Sequence, residues 1–222
     1  MFEAALFFAS LTTIVVAFFA CGNTNYLYLA ASVVGLGLLT FAAKGHFMGQ
    51  VLTIAFAIIY AVISFKYAYY GEMITYLGMS APIAVAALIS WIRNPAEKGK
   101  SEVKVNNLSL KEYIFMAVLA AGVTVAFYFI LRAFDTANLI LSTVSVFTSF
   151  VASYFTLRRS RFYAAAYALN DIVLIALWSL AAADRPEYIA MVVNFAVFLA
   201  NDAYGFFNWT RMQIKQKKEA VS

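Results

Sequence analysis

Eight long stretches of almost uninterrupted apolar residues, 3–20, 26–43, 50–69, 73–91, 111–132, 137–157, 163–182 and 187–209, leave this chain few ways to fold. Hydrocarbon about 30 Å thick is crossed by roughly 20 helical residues, at a rise of about 1.5 Å each. The stretches have that length, and they are continuously apolar rather than alternating, which favours helices over barrel strands. Hydrophobic residues make up 64% of the chain and charged residues 12%, about half the charge that keeps a soluble surface wet. The predicted fold is an all-α integral membrane protein of about eight transmembrane helices. The first stretch begins with Glu3 rather than a basic region and runs into Cys21-Gly22-Asn23, a poor cleavage site. It reads as a span, not as a removable signal.

The basic residues set an orientation. With the N-terminus inside, the inner segments hold Lys44, Arg93, Lys98, Lys100, Lys104, Lys111, Arg158, Arg159, Arg161, Arg211, Lys215, Lys217 and Lys218. The outer segments hold Lys66, Arg132 and Arg185. Lys and Arg resist translocation, so the richer side is expected to be cytoplasmic, with both termini there. One span more or fewer would scramble this asymmetry. The basic balance therefore reports topology, and no nucleic-acid partner is expected.

Several chemistries are not supported. One cysteine, Cys21, and one histidine, His46, make neither an internal disulfide nor a Cys/His metal cluster, and no P-loop is present. His46, beside Lys44 at a helix end, reads as a solvated loop residue. The spans carry no nucleophile, base or metal set of enzymatic type, so neither enzymatic activity nor a cofactor is expected.

The halves share a grammar. Residues 1–25 form an N-terminal span, 26–93 a first group of three, 94–110 a charged loop, 111–132 a lone helix, 133–211 a second group of three, and 212–222 a basic tail. The first helix of each group ends in a basic turn, Ala43-Lys44-Gly45 and Arg158-Arg159-Ser160. The second ends near an acid, at Tyr70-Gly71-Glu72 and Arg185-Pro186-Glu187. The third closes on Trp91-Ile92-Arg93 and Trp209-Thr210-Arg211. A triplet that starts outside ends inside, so one extra crossing is needed before the second triplet begins. The expected architecture is two parallel three-helix repeats joined by one helix, a transporter design with its substrate held between the repeats.

Polar residues in lipid are costly and mark cavities or helix contacts. The last helix carries Asn194, Asn201 and Asn208 at intervals of seven, hence on one stripe, with Tyr204 beside it and Asp202 near mid-depth. The seventh carries Tyr163, Tyr167, Asn170, Asp171 and Trp178 on one face, and the third offers Gln50, Thr53, Tyr60 and Ser64. Ser142, Ser145, Ser149 and Ser153 of the sixth read mainly as a packing surface. Amides match sugar hydroxyls and carboxamides, and aromatic faces suit a ring, above all a cationic one. The competing reading is that the amides cement helices together, as they do in lipid. Asp171 and Asp202 also leave proton coupling open.

Ala43-Lys44-Gly45, Tyr60 and Tyr70-Gly71-Glu72-Met73, followed by Asn170-Asp171-Ile172-Val173 and Tyr204-Gly205-Phe206-Phe207-Asn208-Trp209, resemble the PnuC family of bacterial vitamin-precursor transporters. That family is related in fold to the SWEET sugar transporters, and the resemblance runs from about 26 to 211. It implies a three-plus-one-plus-three bundle, commonly a homotrimer of the bacterial inner membrane. It further implies facilitated diffusion of nicotinamide riboside, with phosphorylation trapping the product. Relatives carry thiamine, riboflavin or nucleosides. The family's pocket positions fall on Tyr60, Asn170, Asp171, Tyr204, Asn208 and Trp209. To these the residue reading adds Gln50, Tyr167, Trp178, Asn194 and Asn201 as candidate substrate contacts. Phe56 stands where many members have Asn, Ala164 and Tyr167 where tryptophans are frequent, and Ser153 where Gln is common.

Overall fold

A computed structural model describes residues 2–66, 70–97 and 99–219; Lys98 and the last three residues of the basic tail lie outside them. Eight helices long and apolar enough to cross a membrane follow one another: α1 Phe2–Ala20, α2 Tyr26–Ala43, α3 Met48–Lys66, α4 Tyr70–Arg93, α5 Leu110–Ala133, α6 Leu139–Leu157, α7 Tyr163–Asp184 and α8 Ile189–Glu219. The boundaries follow from local chemistry. Asn25 caps α2 by accepting from the Leu27 amide, and Ser109 with Glu112 makes a reciprocal capping box on α5. A π-helical turn at Tyr76–Ser80 sits just ahead of Pro82 in α4, where the ring removes a backbone donor.

Two helices differ from the hydropathy reading. α4 starts at Tyr70, which takes Glu72 into its first turn. α8 runs ten residues past 209, because Arg-Met-Gln-Ile-Lys-Gln-Lys-Lys-Glu are good helix formers although they are not apolar. Hydropathy finds where lipid ends, not where a helix ends.

α2, α3 and α4 pack together, as do α6, α7 and α8, while α2 touches α8 and α4 touches α6. α1 lies against α2 and α8, and α5 packs on α6. α5 shows a long apolar face, with Ile114, Phe115, Val118, Val125 and Phe129 all exposed, as lipid allows. Between α2 and α3 the backbones come close at Gly49, where a Cβ would lie 2.7 Å from the Ala42 nitrogen.

At the end of the bundle that carries the basic turns, one contact occurs twice. Trp91 of α4 donates its indole N–H to the Thr156 carbonyl at the end of α6, at 2.9 Å. Trp209 of α8 donates to the Ala42 carbonyl at the end of α2, at 2.8 Å. The residue before each does the same one position on: Ser90 Oγ to Leu157 at 3.0 Å, and Asn208 Nδ2 to Ala43 at 2.7 Å. The two indole rings lie 5.4 Å apart. The turns that follow α2 and α6 match as well, with Gly45 and Arg159 both at positive φ. His46 Nδ1 accepts from the Met48 amide as Ser160 Oγ accepts from that of Phe162. His46 is therefore a half-buried turn residue stacked on Phe47, rather than a solvated one.

The charged loop after α4 is a packed strap. Val103 and Val105 are buried. Gln216 of α8 accepts from the Val105 amide and donates to Glu102 and to the Val103 carbonyl, and Gln213 donates to Asn107. Arg159 crosses from the α6–α7 turn to Ser90 and to the Lys104 carbonyl, and Arg158 pairs with Glu112 of α5.

Candidate functional site

A cavity lies inside the bundle, lined by α2, α3, α4, α6, α7 and α8. Toward the basic end the lining residue Tyr163 packs edge-on against Trp209, at 4.7 Å. Toward the opposite end lies an aromatic cluster that includes Phe18, Tyr28, Tyr60, Trp178, Tyr188, Phe195 and Phe198. Helical spacing explains the lining. Gln50, Thr53 and Phe56 of α3, and Ser145, Ser149, Ser153 and Thr156 of α6, recur every three or four residues and so share a face. Tyr163, Tyr167, Asn170, Asp171 and Leu174 do the same on α7, and Phe195, Phe198 and Asp202 on α8.

Of the expected contacts, the structure brings Gln50, Tyr167, Asn170 and Asp171 to this cavity. Asn170 is fixed: its Oδ1 accepts from Thr148 Oγ1 at 2.7 Å and from Ser149 Oγ at 3.0 Å. That leaves the carboxamide N–H2 as the donor it can present. Tyr167 shares a hydrogen bond of 3.3 Å with Ser153, so the serines of α6 hold the polar face as well as pack.

Tyr60 stands one ring back, its centroid 5.6 Å from Phe56 and 4.5 Å from Tyr76. Trp178 packs edge-on against Tyr188 in the aromatic cluster, and Asn194 is buried outside the lining. The structure does not bring Asn201, Tyr204, Asn208 or Trp209 to the cavity either. Asn201 donates to Ser10 of α1 at 2.9 Å and to the Val197 carbonyl, Tyr204 bonds Glu3, and Asn208 and Trp209 hold the end of α2. Asn201 and Asn208 thus bond α1 and α2, as amides joining helices do, while Asn194 Oδ1 is buried with no hydrogen-bond partner among the described residues. Asp202, one residue on from Asn201 and so about 100° around the helix, faces inward instead.

The residue that the sequence reading passed over is Glu72. It reads as a turn acid, yet it sits in the first turn of α4 and lines the cavity with Thr75, Tyr76 and Ser80. The signal that could have marked it is an acid directly preceding a long apolar run, where a loop acid has no reason to be helical. The cavity thus offers hydroxyls, two carboxamides, aromatic faces and three carboxyls, and among the described residues no basic side chain lines it. No cluster that could hold a metal exists among the described residues.

Comparison with known proteins agrees with this geometry. The family described as nicotinamide mononucleotide transporter matches residues 25–211. The nicotinamide riboside transporter PnuC of Neisseria mucosa is 25% identical over 198 residues, covering 87% of this chain and 75% of that protein. The protein of the same name from Haemophilus influenzae is 22% identical over 189 residues, covering 85% and 80%. A crystal structure of the vitamin B3 transporter PnuC superposes with a TM-score of 0.83 at 24% identity, over 97% of this chain and 93% of the other. With a polar, aromatic-lined cavity among six of its eight apolar helices and a family match that runs over residues 25–211, this chain belongs to the nicotinamide mononucleotide transporter family.

Proposed function

We propose that this chain is a multi-pass carrier that takes up nicotinamide riboside by facilitated diffusion, with phosphorylation inside the cell trapping the product. The observation that carries this reading is the central cavity. Its amides and hydroxyls suit ribose and a carboxamide, its rings suit a flat heterocycle, and its acids suit a positive ring charge. The relatives' names point to the same solute. Phe56 in the lining, where an amide is frequent in the family, favours a second reading for comparison: a thiamine-, riboflavin- or deoxynucleoside-carrying relative.

The carrier works between two parallel three-helix repeats, α2–α4 and α6–α8, joined by α5. The support is the exchange of Ser90-Trp91 and Asn208-Trp209 contacts across the bundle. Rocking of one repeat against the other would open the cavity alternately to each side. The protein resides in the bacterial inner membrane as a homotrimer, with the basic end and both termini in the cytoplasm. Reporters fused at residue 100 and at the C-terminus are expected to read cytoplasmic, and an external signal at either point would reverse this orientation.

The direct test is uptake into liposomes that contain only the purified protein. Labelled nicotinamide riboside is expected to equilibrate across the membrane without exceeding its external concentration. Uptake of thiamine, riboflavin or a deoxynucleoside in its place would establish the second reading.

A further inference from the structure

Three carboxyl groups from three helices face one cavity: Glu72 of α4, Asp171 of α7 and Asp202 of α8. Asp171 is 4% and Asp202 3% exposed, and the two line the same cavity from helices that pack against each other. Asp171 Oδ2 is buried with no hydrogen-bond partner among the described residues. The other titratable groups facing the pair are Tyr76 of α4 and Tyr163 and Tyr167 of α7 itself. α2, α3 and α6 contribute apolar, amide and hydroxyl side chains alone. Among the described residues, no basic side chain lines the cavity beside the acids. Two ionised carboxylates in one poorly solvated cavity repel each other, and either a proton or a bound cation would relieve that repulsion.

We propose that Asp171 and Asp202 form an exchangeable counter-charge: the empty pair holds one proton and gives it up when a cationic ring docks. The inference rests on the nicotinamide riboside reading, because that solute carries a fixed positive charge on its pyridinium ring. The balance is simple. One carboxyl O–H bond breaks, the proton leaves to the side the cavity faces, and the ring's charge takes its place, with no electron transferred. The pair regains a proton when the ring departs. Loaded and empty carriers then cross with the same charge, and in the absence of a pH difference the solute equilibrates as in facilitated diffusion. Asp202 becomes a specificity-determining residue, since it selects a charged ring over a neutral one of the same shape.

The test is calorimetric titration of the purified full-length protein with nicotinamide riboside in buffers of different ionisation enthalpy. The comparison ligand is dihydronicotinamide riboside, whose ring is uncharged. Wild type is expected to release close to one proton per cationic riboside bound and none for the neutral one. Asp202→Asn is expected to release none and to lose about tenfold or more of the preference for the charged ring. Asp171→Asn serves as the second variant if the first fails to fold, and the wild-type proton count needs neither. Binding of both ribosides to wild type without proton release would overturn the inference and leave the substrate reading standing. An unchanged preference in both variants would overturn it equally. Failure of nicotinamide riboside to bind wild type would overturn the substrate reading, and the inference with it.

Discussion

Trp209→Ala is expected to destabilise the folded protein by about 3–5 kcal/mol, the usual cost of emptying a large aromatic site that cannot collapse. Trp209 is fully buried, with Trp91 at 5.4 Å and Tyr163 edge-on at 4.7 Å. In lipid the loss is one of packing rather than of water exclusion, and a void between helices has nothing to refill it. The lost hydrogen bond adds little, because the Ala42 carbonyl also accepts from the Gly45 amide at 2.9 Å and stays satisfied. Trp209→Phe, which keeps most of the volume, should therefore cost only about 1 kcal/mol. Trp91→Ala should resemble Trp209→Ala, since the Thr156 carbonyl likewise keeps the Arg159 amide. Unfolding in detergent measures all three. A Trp209→Ala protein within 1 kcal/mol of wild type would mean that the indole contacts contribute little to joining the two groups of helices.

The eight spans were legible because crossing a bilayer is a one-dimensional requirement, met residue by residue along the chain. The matching Trp91-Ile92-Arg93 and Trp209-Thr210-Arg211 words were legible too, though not that each indole would bond the end of a helix in the other group. The inward face of α8 was not. Asn194, Asn201 and Asn208 make a genuine stripe, but a stripe carries no information on which neighbour it faces. α1, the helix outside both triplets, takes up Asn201 through Ser10 and Tyr204 through Glu3. That packing turns Phe195, Phe198 and Asp202 inward instead. Glu72 was missed for a related reason. Hydropathy assigns an acid to the loop beside a span, whereas a polar cavity lets the first helical turn carry one. Asn170 and Asp171 do line the cavity, where serines and a threonine on the facing helix supply a second polar surface for them to meet.

Asn170→Ala is expected to weaken nicotinamide riboside binding by about ten- to a hundredfold, or roughly 1.5–3 kcal/mol. Its amide is oriented before the solute arrives, because two hydroxyl donors hold Oδ1 and so aim the N–H2 group. A donor fixed in place loses no rotamer entropy on binding, which makes its contribution larger than that of a free side chain. Folding should survive the change. Without Asn170 the Thr148 hydroxyl proton can turn to the Val144 or Ser145 carbonyl, each at 3.1 Å, so only the Ser149 hydroxyl loses its acceptor. Asn208→Ala is the informative partner. It lies on the stripe that sequence spacing favours, yet its amide is spent on the Ala43 carbonyl. It should leave affinity within about twofold and instead lower stability by about 1 kcal/mol. Binding isotherms and unfolding curves on both variants separate the alternatives. A large affinity loss in Asn208→Ala with little in Asn170→Ala would place the solute against α2 and α8 near the basic end, outside the cavity described.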